Sequence, residues 1–276
     1  LPLPEYAIPQ ARPLAMDSIR RRLWLAAGDR VLAVDAPTGR PLVSARLSGR
    51  AEAATVEAES GHLFVAVPAR GEVQMLDTRG AVLQVVGGLG RPMNLIGGNG
   101  KIYVADSTGQ RLIVLDGQTC AIIASLKLSA APFGLAFDPF ARRLYVGQMG
   151  SGQVLALNAD ILALSGEVTC SGLGFPLDLA LDVSAHRLYV AHAVSPKYGA
   201  LTVIDTTDMS FVTTLSGNPQ QPLYGVDSVQ VDSERGEVYL GQYAGVAVLD
   251  AHSLAIREQV GAEAPKGAGG LVLDPL

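Results

Sequence analysis

The chain has 276 residues, 49% of them apolar and 17% charged, and a formal net charge of −5. That length holds one large all-β domain or two smaller ones, and the apolar residues fall in short runs, none near the roughly 18 that a membrane-spanning helix needs. Basic residues are dispersed, the densest run being Arg20 to Arg22, so no basic stripe exists for a nucleic-acid backbone; nucleic-acid binding and direct membrane insertion are both set aside.

Residues 1–12 carry three prolines around the run Glu5 to Ile8 and read as an N-terminal edge strand or linker ahead of a repeating domain over 13–276. There is no initiator Met and no charged-then-apolar leader at the start, which points to a processed protein or a domain cut from a longer one. Six units follow, spanning 13–49, 50–90, 91–129, 130–173, 174–221 and 222–264. The fourth is the clearest: GLAF, RLYV, QVLAL and the run from Leu162 to Val168 are four short strands separated by Asp-Pro, Ser-Gly and Asn-Ala-Asp turns.

Two marks keep step along the chain. A large aromatic sits on the second strand of each unit at Trp24, Phe64, Tyr103, Tyr145, Tyr189 and Tyr239, with spacings of 40, 39, 42, 44 and 50 residues. About ten residues later an apolar strand ends in Asp35, Asp77, Asp116, Asn158, Asp205 or Asp250, each just before a turn. Four short strands in a repeat of this length are the signature of a β-propeller blade, whereas helical solenoids need longer runs of 3.6-residue periodicity. The expected fold is therefore all-β, a β-propeller with six complete four-stranded blades. The tail 266–276 repeats the inner-strand pattern of Phe133 to Phe140 and would begin a partial seventh, leaving a six- or seven-bladed ring.

The phrases RRLYVGQ at Arg142 to Gln148 and HRLYVAH at His186 to His192 resemble the YVTN-type bacterial propeller repeat, with the NHL group a near alternative. The resemblance implies a secreted, periplasmic or surface protein used for binding, as a module of a larger assembly with a protein or glycan partner. It names no chemistry, because the motif is one of packing.

In such a fold the residues opening each inner strand and closing each second strand converge on one loop face. The first set is Pro13, Ala53, Asn94, Gly134, Asp178, Ser228 and Gly270; the second is Ala27, Val67, Asp106, Gln148, His192 and Gln242. The longest insertions, around Lys197 and Tyr198 and around Tyr224 and Asp227, fall on the same face. The expected ligand-binding residues are accordingly Asn94, Asp106, Gln148, Asp178, His192, Tyr198, Tyr224, Asp227, Ser228 and Gln242, carried by loops on a rigid scaffold.

A second class of function is an enzyme of the metal-dependent lactonase type, with Asn94, Asp106 and Asp178 as oxygen ligands and His192 as base. So few carboxylates favour non-catalytic recognition, with no metal. No cofactor is expected. The Gly-rich stretch 87–100 opens no helix and so cannot cradle a phosphate, and His192 stands without a haem attachment motif. Asp35, Asp77, Asp116, Asp205 and Asp250 read as turn caps, since each precedes a turn whose backbone N–H groups need an acceptor. Cys120 and Cys170 fall toward opposite rims, which argues against a disulfide between them.

Overall fold

The computed structural model describes residues 14–170, 175–193, 199–218, 223, 225–242, 245–261 and 271–273. Its strands build six four-stranded antiparallel sheets, the blades of a six-bladed β-propeller, each running in chain order from inner to outer strand. The chain divides into two compact units at Ala131/Pro132.

The first unit holds three sheets. These are β1 (Leu14–Asp17), β2 (Arg22–Ala27), β3 (Arg30–Asp35) and β4 (Pro41–Arg46); β5 (Ala53–Val56), β6 (Leu63–Val67), β7 (Glu72–Leu76) and β8 (Val82–Val86); and β9 (Pro92–Gly98), β10 (Lys101–Asp106), β11 (Arg111–Asp116) and β12 (Ile122–Lys127). The second unit holds β13 (Ala131–Asp138), β14 (Arg143–Met149), β15 (Gln153–Asn158) and β16 (Leu164–Thr169); β17 (Phe175–Asp182), β18 (Arg187–Ala193), β19 (Gly199–Asp205) and β20 (Ser210–Ser216); and β21 (Ser228–Asp232), β22 (Glu237–Gln242), β23 (Gly245–Asp250) and β24 (Ile256–Val260). Residues 271–273, within the tail expected to open a seventh blade, carry no strand, and the rest of that tail lies outside the described residues.

Burial follows the order of strands within a blade. Second and third strands such as β6 and β11 are apolar on both faces and almost wholly buried; β6 packs on the first blade through Leu63 and Val65 and on the third through Phe64 and Ala66. Outer strands such as β4, β12 and β16 alternate between exposed and half-buried residues, the period-2 pattern of a one-sided strand.

In four blades the repeating aromatic lies in the core between its own sheet and the next; Tyr103 is also buried, and Tyr239 is half-buried. Trp24 packs with Leu63, Val65 and Leu76 of the second blade, Phe64 with Ile102 and Val104 of the third, and Tyr145 with Leu188 and Val190 of the fifth. Tyr189 packs with Val238 and Leu240 and also donates its hydroxyl to the Ala251 carbonyl at 3.0 Å, tying the fifth blade to the sixth. Tyr189→Phe should cost about 1–2 kcal/mol, since the Ala251 carbonyl loses a buried partner while the packing stays. Urea unfolding should show a lower midpoint with an unchanged slope.

A second device recurs in all six blades. The pairing of third and outer strands slips by one residue at Ala33/Val34, Met75/Leu76, Val114/Leu115, Ala156/Leu157, Val203/Ile204 and Val248/Leu249. Two residues ahead of each outer strand's first or second residue the backbone enters the left-handed region, at Gly39, Gly80, Cys120, Leu162, Met209 and Leu254. In the last four blades that residue has a side chain, and each of the four is buried. Met209 shows why: its Cγ lies 2.7 Å from where a Cβ on Gly166 of the preceding blade would stand, so the side chain fills the gap between sheets. Burial of Cys120, Leu162, Met209 and Leu254 offsets the strain of a positive φ, which costs roughly 1–2 kcal/mol per residue.

Candidate functional site

Strand register explains how the expected site residues are set. In β9 the pairing with β10 skips from Asn94↔Ala105 to Pro92↔Asp106, and in β17 the pairing with β18 skips from Asp178↔Ala191 to Pro176↔His192. In both of these inner strands the extra residue, Met93 or Leu177, directly follows a proline, and the residue just past it is polar. Proline lacks a ladder donor and suits a strand end, and the bulge turns the following side chain. Asn94 curls back so that its Oδ1 accepts from the Leu95 N–H at 2.8 Å.

In the first unit, Asp106 is fully buried and its carboxylate is used up locally. Oδ1 accepts from the N–H groups of Arg91 at 2.7 Å and Gly109 at 3.2 Å; Oδ2 accepts from Gly90 N–H at 3.0 Å and Arg111 Nε at 2.8 Å. Burial alone would raise its pKa, but the Arg111 guanidinium and the three backbone donors outweigh burial and hold it below the usual carboxylate range. Four donors on two oxygens leave this group knitting the loop from β8 to β9 onto β10.

In the second unit, Asp178 reaches from the fifth blade to the sixth: its Oδ2 accepts from the Val229 N–H of β21 at 3.0 Å. Beside it, Asp227 precedes β21 and accepts from the Ser228 hydroxyl at 3.2 Å. Two glycines make the arrangement possible. A Cβ on Gly134 would stand 2.4 Å from the Leu179 side chain, and one on Gly241 would stand 2.1 Å from Ser228 Oγ. Burial raises the pKa of Asp178 to about 7, the Val229 and Leu179 N–H groups pull it back in part, and the Asp227 charge pushes it up further.

Gln148 and His192 are fully buried and Gln242 nearly so, on strands β14, β18 and β22. Neither ring nitrogen of His192 has a hydrogen-bond partner among the described residues, and burial lowers its pKa to about 4, so the imidazole is neutral. The structure therefore brings together Asp178, Asp227 and Ser228, and it puts Asp106, Gln148, His192 and Gln242 inside the blades. Tyr198 and Tyr224 lie outside the described residues. Among the described residues no group of three or more His, Cys, Asp or Glu is placed to hold a metal ion.

The repeating acids at the ends of third strands are turn caps. Asp35 accepts from Thr38 N–H, Asp77 from Arg79 and Ala81, Asp116 from Gln118 and Thr119, Asp205 from Thr207, and Asp250 from His252 and Ser253. A second set of caps escaped the sequence reading: Asp17, Glu57, Asp138, Asp182 and Asp232, at the ends of inner strands, each accept from an N–H three residues on. Their signal was present, an acid closing every inner strand but that of the third blade. Cys120 and Cys170 are both buried free thiols, pushed up to about 11 by burial.

No family model matches the chain, and no curated protein matches it in sequence. Among solved structures it is similar to hydrazine synthase of Kuenenia stuttgartiensis, with a TM-score of 0.77 and 16% identity over 89% of this chain and 78% of that one. At that identity the likeness is one of fold, and it agrees with the six four-stranded sheets.

Proposed function

We propose that the chain is a non-catalytic recognition module. It offers the inner-strand ends of β17 and β21, with the insertions around Tyr198 and Tyr224, to a protein, glycan or small-molecule partner that brings a cationic group. In this reading it is an extracytoplasmic bacterial propeller of YVTN or NHL kinship and part of a larger assembly; the RRLYVGQ and HRLYVAH phrases support that kinship. The observation that carries the recognition site is the pairing of Asp178 with Asp227 at the junction of two blades, with Asp178 held by the Val229 N–H. A carboxylate fixed there beside a second one is stabilised by an incoming positive charge, and the scaffold does not have to rearrange to receive it.

The test is a screen of the wild-type chain against peptide and glycan arrays, repeated with Asp178→Asn/Asp227→Asn and with Tyr198→Ala/Tyr224→Ala. Ligands found by the wild type should weaken about tenfold or more in both double variants, the loss expected for a charge-assisted hydrogen bond. Binding that ignores both variants overturns the proposal. So does calcium-dependent hydrolysis of a lactone substrate abolished by Asp178→Asn.

A further inference from the structure

At the opposite strand ends from Asp178, the sheets β17–β20 and β21–β24 part to leave a groove of about 570 Å³. That is the size of a small-ligand site. Three guanidinium groups line it from three different elements: Arg187 at the start of β18, Arg235 in the turn before β22, and Arg257 on β24. Each is braced by an acid. Arg187 donates to Asp205, Arg257 to Asp250 and at 3.3 Å to Glu237, and Arg235 lies 3.7 Å from Asp232.

The balance of donors and acceptors in this groove is uneven. A guanidinium has five N–H donors; Arg187 uses one nitrogen and Arg257 two on their carboxylates, and Arg235 donates to the Tyr239 hydroxyl while standing beyond hydrogen-bond reach of Asp232, so N–H groups remain for the groove. The lining carboxylates are occupied. Asp182 accepts from Ser184 Oγ at 2.7 Å and Ala185 N–H at 3.0 Å, and Asp250 from the backbone of His252 and Ser253 and from Arg257. Charge, by contrast, is in excess on the acid side: the three arginines stand against Asp182, Asp205, Asp232, Glu237 and Asp250, so an anionic ligand is disfavoured. A ligand here must supply lone pairs without bringing negative charge, which is what neutral hydroxyl and ring oxygens do.

The walls are also set in advance. Asx caps fix the turns after β17, β21 and β23, and the Tyr189 hydroxyl bond to the Ala251 carbonyl ties the two sheets together at the base. Grooves whose walls need no ordering lose less on binding a flexible ligand.

We infer that this groove is a binding site for a neutral, oxygen-rich ligand, a saccharide whose hydroxyl and ring oxygens accept from Arg187, Arg235 and Arg257. The site is independent of the loop face at Asp178.

Saturation-transfer NMR on the full chain tests it, with maltose, cellobiose, lactose and N,N′-diacetylchitobiose as neutral probes and glucuronate as the charged one. At least one neutral sugar should bind, with an affinity that low and high salt leave alike. Arg235→Ala, which removes an exposed side chain, and Thr213→Trp, which fills the groove, should each weaken it about tenfold or more. Asp178→Asn should leave it unchanged, which separates this site from the one at the loop face. The inference is overturned if none of the neutral sugars binds. It is also overturned if glucuronate alone binds and is released by salt, or if sugar binding survives both groove variants.

Discussion

Asp106→Ala is expected to destabilise the chain by about 3–5 kcal/mol, the cost of removing one partner from a buried ionic hydrogen-bond cluster. The Arg111 side chain is about a third exposed and can turn to water, but the N–H groups of Gly90, Arg91 and Gly109 cannot follow it. Most of the loss therefore comes from three backbone donors left without an acceptor. Chemical denaturation at neutral pH measures it, and a thermal midpoint lowered by roughly 10 °C is the corresponding shift for a chain of this size. The pH dependence has a fixed sign. Because the folded state holds this carboxylate below its ordinary range, its contribution is present above the unfolded value near 4 and is lost as pH falls through the lower folded value. The gap between wild type and variant should be full at pH 7 and narrow only under strongly acid conditions. A variant as stable as the wild type at pH 7 would show that Asp106 is not the knot that closes this loop.

Asp106 also shows where the sequence could be read and where it could not. The spacing of Trp24, Phe64, Tyr103, Tyr145, Tyr189 and Tyr239 revealed the blades because packing between sheets demands a large apolar residue at one place in each; the structure buries the first five and leaves Tyr239 half-buried. The turn acids were legible for a similar reason: an Asx cap is a local event, made within three or four residues of the acid. A tail of inner-strand pattern suggested a seventh blade, yet alternation of apolar residues over a few positions does not require a strand, and residues 271–273 carry none.

The site was less legible, because what a polar residue at a strand end does depends on which loop folds over it. Asp106 and Asp178 were given the same role by alignment. One is enclosed by the loop from its own preceding blade, and the other reaches forward to the next blade's inner strand. That difference rests on contacts 15 and 51 residues apart in sequence. His192 joins them by its polarity and its position closing a second strand, but its neighbours on the strand are the apolar Ala191 and Ala193, and the fold buries it in the interior.

The second large effect runs opposite to the first. Asp178→Asn is expected to stabilise the chain at pH 8 by about 2–4 kcal/mol, the cost of ionising a carboxyl whose folded pKa lies some three units above its ordinary value. Burial is the chief cause and the Asp227 charge adds to it, with the folded value raised to about 7 from 3.8. Between those two values the native state holds a proton that the unfolded chain has released, so wild-type stability should fall as pH rises from about 4 to about 7 and then level off. The asparagine variant keeps an acceptor for the Val229 N–H and has no charge to ionise, so its stability should lack that slope. Urea midpoints at pH 5 and pH 8 give the comparison, and the advantage of the variant should be clearly larger at pH 8. Asp227→Asn provides a graded control: it removes the neighbouring charge and leaves the burial, so it should recover the smaller part of the gain. A cationic ligand at this site would act as the mutation does, lowering the cost of ionised Asp178, and would release a proton as it bound near neutral pH. Binding without proton release, or equal stability of wild type and Asp178→Asn at pH 8, would mean that Asp178 is already ionised without strain, and the relief that a cationic group brings would go with it.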